Sequence, residues 1–140
     1  MIHGGTLNIQ PLSDGAGRIT AGPLVSIVDD DASMREAMSF VLQADGLRTI
    51  AFDSAAAFLE SAVLHTLACI VLDLRMPGVT GLELVHRLAG EPSVPPVVLV
   101  SAHLDETIEK NARDAGVVAC IRKPFTDEAL LQAVHVALRR

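Results

Sequence analysis

Tryptophan and tyrosine are absent from the 140 residues, and the aromatics amount to four phenylalanines. A core without large rings must be filled by Val, Leu, Ile and Ala, the side chains of parallel sheets covered by helices. Cysteine is scarce too: Cys69 and Cys120 sit in separate apolar runs with no CxxC spacing, which excludes a disulfide framework and fits buried, reduced thiols. No excess of positive charge exists. Eleven basic against seventeen acidic side chains give −6, which argues against a general nucleic-acid or anionic-membrane binder. No apolar run approaches the ~18 residues that a membrane span needs. The N-terminus lacks a basic region followed by an apolar stretch, so a cytoplasmic location is expected. The five histidines are scattered without ligand spacing, and lysine occurs twice, at 110 and 123.

Two parts differ in composition. Residues 1–23 carry five of the ten glycines, two prolines and no sustained periodicity, and read as a flexible leader. From residue 24 to 140, short apolar runs alternate with helical patterns, as in a single α/β domain of ordinary size. The runs are LVSIV (24–28), LRTIAF (47–52), ACIVL (68–72), PVVLV (96–100) and VVACI (117–121). Most are near-continuous apolar segments, as in strands buried on both faces, and the more polar second run suits an edge.

Met34, Ala37, Met38, Val41 and Leu42 form a helical stripe closed by Gly46, with Asp31 or Ser33 as its cap. A second helix follows Ser54, with Phe58, Leu59, Ala62 and Val63 inward. The third opens on the capping box Thr80–Glu83 and buries Leu84, Val85 and Leu88. The fourth, about 104–115, has a thin seam of Ile108, Ala112 and Ala115; the fifth, after Thr126, buries Leu130, Ala133, Val134 and Leu138. Five β-then-α units imply a parallel sheet with right-handed crossovers and helices on both faces. The fifth helix runs to the end of the sequence, so no second domain is expected within it.

Ligands of an open parallel α/β sheet bind outside the carboxyl ends of its strands. Here those ends carry Asp29-Asp30-Asp31, Asp73, Ser101 and Lys123-Pro124. Converging carboxylates repel one another and call for a cation, and hard oxygen ligands suit Mg²⁺. A lysine and a hydroxyl opposite those acids are what a transferred phosphoryl group needs.

These residues resemble a family. VDDD after the first strand, LDLRMPGVTG after the third, VSA after the fourth and RKPF after the fifth look like a response-regulator receiver domain over residues 24–140. The resemblance implies a doubly wound, five-stranded (βα)5 flavodoxin-like sheet of order 2-1-3-4-5. It implies that Asp73 accepts a phosphoryl group from a phosphohistidine of a sensor histidine kinase. Asp30 would hold Mg²⁺ directly, Asp29 through water, and the backbone carbonyl of Arg75 would be a further ligand. Ser101 matches the hydroxyl switch and Lys123 the pocket lysine, aimed by a cis bond to Pro124. The signal would leave through helix 4, strand 5 and helix 5, a surface that pairs two chains in resembling domains, and would regulate transcription through an output domain beyond this sequence. The domain would act as a signalling component, not an enzyme. One departure stands out: the family's Tyr or Phe three residues before the lysine is Cys120 here, so the loop after Ser101 would move without an inward-turning ring.

Two other functions compete. A haloacid-dehalogenase-type phosphohydrolase would use Asp29 as nucleophile and Asp31 as acid/base; it lacks an acid pair after the strand following the lysine, and residues 24–140 leave no room for a cap domain. A stand-alone regulator acting by protein–protein contact remains the other. A purely structural interaction module would lack the acids or the lysine, and none is missing.

Overall fold

The computed structural model describes residues 22–139, together with the backbone of three short upstream strands, Gly5–Asn8, Leu12–Ser13 and Ile19–Thr20. The rest of the expected leader lies outside the described residues. The five apolar runs form β1 (Leu24–Val28), β2 (Arg48–Phe52), β3 (Cys69–Asp73), β4 (Val97–Ser101) and β5 (Ala119–Arg122). Between and after them lie α1 (Ala32–Ala44), α2 (Ala55–Glu60), α3 (Gly81–Leu88), α4 (Glu106–Asp114) and α5 (Asp127–Leu138). The five strands are parallel in the order β2-β1-β3-β4-β5, the doubly wound flavodoxin-like arrangement implied by the resemblance.

Strand alternation sorts the core into two layers. Leu24, Val28, Ile50, Phe52, Ile70, Leu72, Val97 and Leu99 face α2, α3 and α4, where Phe58, Leu84, Leu88 and Ala112 meet them. Val25, Ile27, Ala51, Cys69, Val71, Val98 and Val100 face α1 and α5, against Met38, Leu42, Leu130 and Val134. Phe52 and Phe58 meet edge to face at 5.5 Å, the one ring pair among the described residues. Both faces being covered explains why the runs read as continuous apolar segments.

The helix ends follow local chemistry. Asp31, not Ser33, caps α1 by accepting from the Ser33 and Met34 N–H groups. At the other end Gly46, with φ +89°, lets its own N–H reach Gln43 and that of Leu47 reach Leu42, satisfying two end carbonyls. Ser54, Thr80, Asp105 and Thr126 cap the remaining helices.

Three expectations change. The second run is the outer parallel strand, but Gly5–Asn8 pairs antiparallel along it, and every β2 residue except Arg48 is buried. Helix 2 stops at Glu60, so Ala62 and Val63 lie beyond it, and Leu59 is 40% exposed; Ala62 turns the chain at φ +57° into a short 3₁₀ turn, Leu64–Thr66. Cys69 is buried as expected, its thiol pushed up to about 12 by burial, whereas Cys120 is half-buried. No helix among the described residues is long and apolar enough to cross a membrane.

Candidate phosphoryl-acceptor site

The strand register sets the site. Val28 stands beside Phe52 and Leu72, and Asp73 beside Val100, so the residues leaving β1, β3 and β4 emerge on one rim of the sheet. Ser101 pairs with Arg122, and the Lys123 N–H donates to the Ser101 carbonyl at 2.8 Å, which carries the next residue of β5 to the same rim. The bond from Lys123 to Pro124 is cis, as expected.

Asp29, Asp30 and Asp73 converge until carboxylate oxygens from all three lie within 4.8 Å of one another. Asp29 and Asp73 are buried and Asp30 is exposed. Both oxygens of Asp29 are engaged: Oδ1 accepts from the Asp31 N–H at 2.9 Å and Oδ2 from Lys123 Nζ at 2.9 Å. Lys123 Nζ lies 3.5 Å from Asp73 Oδ2, while Asp73 Oδ1 accepts from the Arg75 N–H at 3.3 Å. The lysine therefore leans on Asp29 more closely than on Asp73, a distinction that motif spacing does not carry.

Burial, followed by the negative charge of Asp29, pushes the Asp73 carboxyl up to about 6, and Lys123 only partly offsets them. Burial tends to lower the Lys123 pKa, but the hydrogen bond and charge of Asp29 together with Asp73 outweigh it, and the lysine stays above its usual value. Two buried acids facing one ammonium, with a third acid at the rim, leave uncompensated negative charge. The all-oxygen donor set fits a small hard cation.

Ser101 is buried, and its hydroxyl accepts from the His103 N–H at 3.0 Å. His103 itself is exposed. The side chain of Arg75 is exposed, so its backbone rather than its guanidinium addresses the pocket. Gly81, at the start of α3, comes so close to Asp73 that a Cβ there would lie 2.5 Å from the Asp73 carbonyl oxygen. Two arginines escaped sequence reasoning: Arg35 donates to the Asp29 carbonyl at 2.8 Å, and Arg122 to the Leu104 carbonyl at 2.6 Å. No periodicity or motif marks either contact. Asp31 Oδ1 accepts both N–H groups of the α1 cap, so the structure gives that carboxylate a helix-capping role.

An open parallel sheet with an acid pocket, a buried hydroxyl and one lysine at the carboxyl ends of its strands defines a signalling receiver module. The chain matches the family model for the response regulator receiver domain over residues 25–135, and it belongs to that family, the receiver domains of two-component response regulators. It is 38% identical over 116 residues to the transcriptional regulatory protein FixJ of Azorhizobium caulinodans, covering 83% of this chain and 55% of that protein. It is 37% identical to the response regulator protein TmoT of Ectopseudomonas mendocina, covering 83% and 53%. Among solved structures, the response regulator StyR superposes with a TM-score of 0.78 at 39% identity, covering 85% of this chain and 60% of that one. FixJ-N gives a TM-score of 0.75 at 31% identity, covering 86% and 97%. The chain spans just over half the length of the curated relatives it matches.

The raised Asp73 carboxyl has a stability consequence. Its folded pKa, about 6, exceeds the ordinary 3.8, so ionising it opposes folding. That penalty is absent below pH 3.8, grows up to about pH 6 and is complete above it. In metal-free buffer Asp73→Asn should be more stable than the parent at pH 8, by about 1–3 kcal/mol, and equal to it near pH 4. Urea unfolding at the two pH values checks this; a variant less stable at pH 8 would contradict it.

Proposed function

We propose that the domain is a phospho-accepting switch, with Asp73 as the acceptor. The observation that carries this is the meeting of Asp73, Asp29 and Lys123 in one buried pocket at the rim. A carboxylate oxygen of Asp73 attacks the phosphorus of a phosphohistidine on a sensor kinase. The P–N bond breaks, its electron pair returns to the imidazole nitrogen, and an acyl phosphate forms on Asp73. Lys123 pairs with one phosphoryl oxygen and the Ser101 hydroxyl donates to another, each where charge builds in the transition state.

Asp30, Asp73 and the Arg75 carbonyl would hold Mg²⁺, with Asp29 acting through water as the resemblance implies. When bound, the ion neutralises phosphoryl charge. The relatives' names support an output in transcription regulation. That output would come from a segment outside this sequence, through the face made by α4, β5 and α5, which also offers mixed charges for a two-fold pairing of chains. Residues 24–140 would be the receiver and the upstream residues a leader.

Incubation with acetyl phosphate and Mg²⁺ should add one phosphoryl group to the intact mass of the parent and none to Asp73→Asn. A variant labelled as fully as the parent removes Asp73 from the role. Independently, Mg²⁺ should raise the melting temperature of the parent, and Asp30→Ala should reduce that gain by more than half. An undiminished gain takes Asp30 out of the metal site.

A further inference from the structure

The loop between β4 and α4 is fastened at two points just beyond Ser101, the residue that would respond to phosphorylation. The Ser101 backbone is fixed in the sheet, paired with Arg122 and accepting from the Lys123 N–H. A side-chain rotation that carried its hydroxyl toward a phosphoryl group on Asp73 would withdraw the acceptor from the His103 N–H. The segment from Ala102 to Leu104 would then lose one of its two ties to the strands. Three residues on, the Leu104 carbonyl is held at 2.6 Å by the Arg122 guanidinium, and the Leu104 side chain is buried. A hydrogen bond from a charged donor is stronger than a neutral one, so this is the firmer of the two fastenings.

We propose that Arg122 is a positioning residue that holds the β4–α4 loop in its resting conformation, and that releasing the Leu104 carbonyl is a step of switching. This deepens the phospho-acceptor reading and rests on it. Arg122 ends the strand that leads into Lys123, so one short segment supplies both the phosphoryl-pairing lysine and the arginine that restrains the loop. The guanidinium it frees lies on the α4–β5–α5 face, beside the helix with the fewest buried side chains, where Ala112 alone is fully covered. A thinly packed helix is the element cheapest to displace. A bond made in the resting state and lost in the switched state biases the equilibrium by its own worth, and any ligand of the switched state reads that bias.

The test compares the parent with Arg122→Ala and Arg122→Gln, using beryllofluoride with Mg²⁺ as the phosphoryl mimic and acetyl phosphate as the donor. Beryllofluoride affinity and the rate of Asp73 phosphorylation should both rise by about tenfold in the variants, the worth of one charged hydrogen bond. Hydrogen exchange at residues 102–105 should quicken without any phosphoryl mimic. Arg122→Lys, which keeps a charged donor, should return both quantities to within about threefold of the parent. If the folded variants melt at a lower temperature but bind beryllofluoride and take phosphate as the parent does, Arg122 is only a structural tie and the proposal fails. If the parent itself takes neither, the phospho-acceptor reading falls, and the clasp falls with it.

Discussion

The 2.9 Å contact between Lys123 and Asp29 is the interaction around which the rim is organised. Asp29 is buried beside a second buried acid, and two such charges cannot be tolerated without a nearby cation. Lys123 is that cation, and it arrives from the other end of the sheet. Its position follows from the β4–β5 register, which in turn follows from the apolar alternation of Val98, Val100 and Ile121 against α5. Misplacing any strand by one residue would turn one of these side chains into the core. The core and the pocket are thus one constraint seen from two sides.

The same pocket supports the switching role proposed for the domain. One ammonium serves two acids, closer to Asp29 and farther from Asp73, so it is available to a new anion placed on Asp73 without leaving its first partner. The raised pKa of Asp73 records charge that the fold does not fully compensate. Uncompensated charge thus sits in a packed frame, close to a helix with one fully buried side chain.

Much of this was legible in the sequence, for reasons specific to each residue. Asp29, Asp30 and Asp73 announced themselves because each ends an apolar run, and an open parallel sheet gathers such ends. Lys123 stood out because lysine is so rare in this chain. The caps of α2 and α3 were readable because Ser54 and Thr80 act on backbone groups three residues away. What stayed hidden depends on distance in space. The length of α2 could not be read because Leu59 and Ala62 continue a helical pattern that the turn at Ala62 breaks. The antiparallel strand beside β2 has glycine and no alternation to mark it, and the Arg122 contact spans 18 residues to a backbone carbonyl, which no side-chain pattern encodes.

The central claim is that Lys123 offsets the buried acids, and the pH dependence of stability in Lys123→Met tests it most directly. In that variant the two buried acids keep backbone N–H partners but lose their ammonium, so in metal-free buffer it should lose about 3 kcal/mol at pH 8. As the pH falls and the Asp73 carboxyl, raised to about 6, takes up its proton, the loss should shrink, and millimolar Mg²⁺ should recover part of it at pH 8. A loss that does not shrink as the pH falls, or no loss at pH 8, would contradict the account.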